Sequence, residues 1–202
     1  PLSMKGSKTK YERIKILSKA SGVVFVSKYL RDKFFTDIKE SFDNTFILPN
    51  SLDRNHDAIV EKKQKIILFV GRIVKEKGVD LYVNAIKKLS TEFSDWKFLI
   101  IGSSKLGYDK TSLYEKEIIR TIEKLDNNVE FKGYLSNEKV KDIMSKSNIL
   151  VVPSIWQEPF GMTAIEGLSN KMVVVGSDVG GLSEIIKNKG ILISEIDSRK
   201  LI

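Results

Sequence analysis

The chain has 202 residues, enough for one domain of roughly 150 residues and part of a second but not for two complete ones. Apolar residues make up 42% and charged residues 30%, a globular balance that excludes a disordered chain. The absence of cysteine excludes disulfides, cysteine nucleophiles and thiolate-bound metals, and the net charge of +8 is lopsided, because residues 1–65 carry 14 basic and 8 acidic side chains.

That surplus favours an anionic partner at the front of the chain. The single histidine, His56, lies in a polar Asn-His-Asp stretch, so a histidine zinc site or a Ser-His-Asp triad has only a loop residue to build on. No apolar run approaches the ~20 residues of a membrane-spanning helix, and the first residues carry no secretory pattern. The chain opens abruptly on Pro1-Leu2-Ser3-Met4 and closes in polar sequence at Leu201-Ile202, which reads as a fragment.

In chain order, residues 1–48 are predicted to hold a helix over about 10–19, a strand over 22–26, a helix over about 28–40 and a strand over 45–48, too little to close a domain. The polar stretch 49–65, with Pro49-Asn50-Ser51 and a lysine run at its end, reads as a linker. Strands are then predicted over 66–70, 97–101, 129–131, 149–152, 172–175 and 191–193. Apolar runs without polar alternation mark strands buried on both faces. Between them Val79, Tyr82, Ile86, Leu89 and Phe93 recur at spacings of three and four, while Leu113, Glu117, Arg120 and Lys124 mark a wet helical face. The class is therefore α/β: a Rossmann-like parallel sheet with helices on both faces. In such sheets the loops at the carboxyl ends of the strands carry the site.

After strand 66–70, Arg72 and Lys77 stand beside a helix N-terminus, a pairing that suits an anion and equally a solvated basic turn. Gly102 opens a glycine-rich turn without dinucleotide or Walker spacing. Gly133-Tyr134-Leu135-Ser136 offers backbone for a flat ligand, with Ser136 as the expected N-cap of a helix over 137–147. The densest loop is 153–167. Pro159 keeps Glu158 out of helical conformation, Gly161 allows close approach of a ligand, and Glu166 falls just over one turn into the helix that starts there. Two carboxylates eight apart thus flank a helix N-terminus. They suit sugar hydroxyls, or simply answer the helix dipole. Gly180-Gly181, with Glu184 following, closes the series as a glycine turn.

In this order the loops resemble the C-terminal, donor-binding domain of retaining GT-B glycosyltransferases of the group 1, or family 4, type. The resemblance rests on Gly71-Arg72 with Lys77-Gly78, on Phe131-Lys132-Gly133-Tyr134-Leu135, on Glu158 and Glu166 around Pro159-Phe160-Gly161, and on Gly180-Gly181 with Glu184. It implies the C-terminal half of a GT-B fold, with 1–48 the end of an N-terminal acceptor domain, 49–65 an interdomain linker and 66–202 the nucleotide-sugar-binding domain. Arg72, Lys77 and Glu158 become the catalytic set: the cations clamp the donor diphosphate, and Glu158 holds the donor sugar's hydroxyls. Gly102, Gly133, Tyr134, Leu135, Phe160, Gly161, Met162, Thr163 and Glu166 become donor-binding residues, with Glu166 on the ribose and 133–135 along the base.

The implied reaction is transfer with retention from a nucleotide-diphosphate sugar, most readily a UDP-sugar, without an essential metal. The implied acceptor is a saccharide or a lipid-diphosphate-linked saccharide in surface polysaccharide or lipopolysaccharide synthesis. A GDP-mannose-dependent or sucrose/starch-synthase-like transferase shares these motifs, and a non-catalytic nucleotide-sugar-binding module is the alternative of another class. The missing N-terminal domain is an expected partner, and the fragment alone is expected to be inactive. The expected location is cytoplasmic, with peripheral contact at the cytoplasmic membrane face as the reading of the basic front. Nucleic acid is not an expected partner, since aromatics do not interleave with the basic runs.

Overall fold

The computed structural model describes residues 9–52, 62–104, 111–197 and 199–202. The front of the chain forms α1 (Lys10–Lys19), β1 (Val23–Phe25), α2 (Lys28–Phe34) and β2 (Thr45–Ile47), with β1 and β2 paired in parallel. Thr9 caps α1 through a reciprocal box with Glu12. Leu17, Phe25 and Phe34 form a small aromatic-rich core with Phe35 and Phe42 around them. The helix expected over 28–40 stops at Phe34, followed by a left-handed Asp37. Buried Arg13 takes the carbonyls of Phe34 and Thr36, at 2.6 and 2.8 Å, so tertiary bonds replace the helical ones that would have continued α2.

The remainder builds β3 (Gln64–Val70), α3 (Val79–Glu92), β4 (Lys97–Ile101), α4 (Leu113–Ile122), β5 (Val129–Gly133), α5 (Asn137–Lys146), β6 (Ser147–Val152), α6 (Met162–Ser169), β7 (Val173–Ser177), α7 (Gly180–Ile186) and β8 (Ile191–Ile193). All six strands are parallel, in the order β5-β4-β3-β6-β7-β8. The sheet starts in the middle, grows outward to β5, then returns past β3 to β6 and grows the other way. Because parallel crossovers are right-handed, that reversal sends the later helices to the opposite face. Accordingly Val79, Tyr82 and Ile86 of α3 and Ile118 and Ile122 of α4 pack on Phe69, Phe98 and Ile100, while Met144 of α5, Ala164 of α6 and Leu182 and Ile186 of α7 pack on Leu68, Leu150 and Val174. This is the α/β, Rossmann-like class with helices on both faces.

The strand β3 starts at Gln64, inside the stretch read as a linker, and residues 53–61, including His56, lie outside the described residues. Lys63, also in that stretch, donates to the carbonyls of Met144, Ser147 and Asn170 at 3.2, 2.7 and 2.6 Å. It thereby closes the C-terminal ends of α5 and α6 against the start of β3, where cations are favoured by the dipole. Burial, with the like charge of Lys171 adding to it, holds this ammonium's pKa below the ordinary lysine value. Among the described residues no helix is long and apolar enough to cross a membrane.

Candidate donor-binding site

The growth direction of the sheet reverses between β3 and β6, and a crevice opens at the carboxyl ends of strands where the order reverses. Two cavities meet there. One, of about 380 Å³, is bounded by the loop after β3 (Val70, Gly71, Arg72), the loop after β4 (Gly102, Ser103), the turn after β5 (Tyr134, Leu135), α5 (Asn137, Val140, Lys141, Met144) and Glu166 of α6. The other, of about 390 Å³, shares Val70, Gly71 and Arg72 and is completed by Lys77, Pro153, Ser154, Glu158 and the Pro159–Phe160–Gly161–Met162–Thr163 segment. The β3 loop is the wall between them.

The second cavity is built around an ion pair between a buried carboxylate and a half-buried ammonium. Glu158 is 6% exposed; its Oε1 accepts from Lys77 Nζ at 2.5 Å and from Ser154 Oγ at 2.6 Å. Lys77 ends a short 3₁₀ turn, Lys75–Lys77, and its ammonium also lies 5.7 Å from the centre of the Trp156 ring, within cation–π reach. The two residues that sequence reasoning assigned to separate tasks therefore hold each other. Arg72 is exposed and makes no ion pair with any described residue, which leaves its guanidinium available to an anion on the wall between the cavities.

Gly161 caps α6 at φ 129°, and a Cβ there would come within 2.8 Å of a Leu182 methyl. The glycine is demanded by backbone conformation and by packing on α7, not only by ligand approach. It leaves the first N–H groups of α6 facing the second cavity, the polarity that suits phosphate oxygens. Phe160 lines the same cavity but belongs mainly to the core beneath it. Glu166, Tyr134 and Leu135 line the first cavity, Gly102 its floor, and the Gly102 N–H donates to the Gly133 carbonyl at 2.8 Å. Ser136 does occupy the N-cap position of α5, yet its side chain makes no capping bond. The helix ends at Lys146 rather than Ser147, which opens β6.

All twelve sequence-derived residues thus fall on one rim of the sheet, eleven of them on the two cavity walls, with Gly133 behind the first through its bond to Gly102. Sequence reasoning missed Ser154, the hydroxyl that completes the Glu158 pair, and Trp156, although both sit in the loop it singled out. Among the described residues no group of three or more His, Asp or Glu could hold a metal ion.

Residues 53–201 match the family described as Glycosyl transferases group 1. An uncharacterized glycosyltransferase of Methanocaldococcus jannaschii is 32% identical over 164 residues, 81% of this chain and 42% of that protein. A Klebsiella pneumoniae protein described as an uncharacterized 42.6 kDa protein in cps region is 32% identical over 173 residues, 85% of this chain and 42% of that one. The chain thus spans less than half the length of these two relatives. Among solved structures, Anabaena HepE in complex with UDP and glucose aligns over 98% of this chain and 56% of its own with a TM-score of 0.75 at 20% identity; at that identity the likeness is one of fold.

Proposed function

The chain belongs to the group 1 glycosyl transferases, and from that premise we propose that residues 66–202 bind a UDP-sugar donor for transfer, with retention, to a saccharide or lipid-linked acceptor. The observation that carries the reading is the pair of cavities divided by Arg72: one with an apolar side and the Glu166 carboxylate, the other with a helix N-terminus and the buried Glu158 paired with Lys77. A nucleoside fits the first, with its ribose hydroxyls donating to Glu166 and its base along Tyr134 and Leu135. The diphosphate then crosses the wall at Arg72, and the sugar reaches Glu158. As the bond between the anomeric carbon and the phosphate oxygen breaks, its electron pair stays on the diphosphate, while the acceptor hydroxyl bonds to that carbon on the face the nucleotide leaves and passes its proton to the departing phosphate oxygen. Arg72, Lys77 and the α6 N–H groups stabilise that charge where it grows.

The solved complex of HepE with UDP and glucose supports a UDP donor, and the Klebsiella relative in a cps region supports a polysaccharide acceptor. Residues 1–48 would then be the end of an acceptor-side domain, so turnover belongs to the longer protein. Thermal unfolding of this chain with UDP, GDP and ADP tests the reading, since a ligand bound only by the folded state raises the midpoint. UDP is expected to give the largest rise, and Arg72→Ala to abolish it without lowering the midpoint of the unliganded chain. A rise with no nucleoside diphosphate, or an equal rise in Arg72→Ala, would overturn it.

A further inference from the structure

Glu184 belongs to the glycine motif of the sequence, yet the donor site leaves it unused. Its carboxylate reaches across to the front of the chain. Oε2 accepts from the Lys28 N–H at 3.0 Å and Oε1 from the Tyr29 N–H at 2.5 Å. These are first-turn amides of α2, which have no partner inside the helix. One residue earlier Ser27, the N-cap of α2 and fully buried, accepts from the Leu30 N–H at 3.1 Å and donates to the Pro159 carbonyl at 2.6 Å. On the other side of the same loop the Gly181 N–H donates to the Glu158 carbonyl at 2.7 Å. Any Cβ at Gly181 would stand 2.4 Å from the Pro159 carbonyl oxygen and 3.0 Å from Ser27 Cβ, so α2, α7 and the donor loop are in close backbone contact at one point.

We propose that Glu184 and Ser27 are positioning residues that fasten α2 to α7 and thereby hold the backbone of Glu158 and Pro159 in place. The proposal rests on the donor-site reading for its consequence, though not for its geometry. The charged bonds at Lys28 and Tyr29 fix where α2 sits, and Ser27 transmits that position to the Pro159 carbonyl. The loop carrying the sugar-binding carboxylate is thus set partly by the front of the chain.

Native-state hydrogen exchange of this chain tests it. In Glu184→Ala, exchange is expected to quicken about tenfold at residues 28–30 and at Gly181, whose N–H is held by the Glu158 carbonyl, the scale of losing charged hydrogen bonds, while β3 and β6 stay as protected as in the parent chain. Glu184→Gln, which keeps one of the two acceptor oxygens, should recover part of the protection at both places. Ser27→Ala, which removes the bonds to the Leu30 N–H and to the Pro159 carbonyl, should quicken Leu30 and Gly181 together. Faster exchange confined to residues 28–30, with Gly181 unchanged in both alanine variants, would overturn the proposal. UDP binding measured on the same proteins separates the two readings: a parent chain that binds no UDP removes the donor assignment, and the exchange at Gly181 still decides the fastening.

Discussion

The two cavities share a wall and differ in how they are built. The first is made mostly of apolar side chains and backbone from three loops and α5, with Glu166 of α6 supplying its carboxylate. The second is organised by one ion pair whose members, Lys77 and the buried Glu158, come from separate loops 81 residues apart. The contrast is instructive: a cavity of packed surfaces is tied to the stability of the sheet beneath it, whereas a cavity centred on an ion pair has its own electrostatic weak point.

The largest effect that sharpens this contrast is on stability. Lys77→Met would leave the buried Glu158 carboxylate with only the Ser154 hydroxyl, and an acceptor left short of a partner costs about 1–3 kcal/mol. Urea unfolding should show that loss; a midpoint unchanged from the parent chain would mean that the pair is not held in solution. A smaller effect separates the cavities by ligand. Glu166→Ala should weaken uridine and UDP about tenfold alike, the scale of a charged hydrogen bond, and leave binding of inorganic diphosphate as it was. Titration calorimetry reads all three, and an equal loss for diphosphate would merge the two cavities into one.

Much of this was legible in the sequence because parallel strands covered on both faces are written as unbroken apolar runs, as at Ile66–Ile67–Leu68–Phe69–Val70. The same signature misled at the front of the chain. The runs at β1 and β2 were read as doubly buried, yet Val24 and Phe46 are each 56% exposed, since only one face of that two-stranded sheet has a helical cover. An apolar run reports what a strand can bury, not what covers it.

The site's side chains were legible in kind but not in partnership. The spacing of Glu158 and Glu166 placed them about a helix start, which α6 bears out, but nothing in the local pattern says that Lys77 reaches Glu158. That contact depends on β3 and β6 being neighbours, a consequence of the sheet's reversal rather than of either loop. Lys63 escaped for a similar reason. Within a run of lysines it looks solvated, and only the convergence of α5 and α6 gives it three carbonyls to bind.

The central claim is that one donor spans the wall, nucleoside on one side and sugar on the other. Titration of UDP and UDP-glucose into the parent chain and into Glu158→Gln tests it most directly, because glutamine keeps an acceptor for Ser154 while releasing the Lys77 charge. UDP should bind the variant at least as tightly as the parent, since an uncompensated ammonium then faces the diphosphate, and the affinity for UDP-glucose relative to UDP should fall about tenfold, the scale of a hydrogen bond to a charged group. A variant that binds both ligands in the parent's ratio would contradict the assignment of Glu158 to the sugar, and with it the donor's path across Arg72.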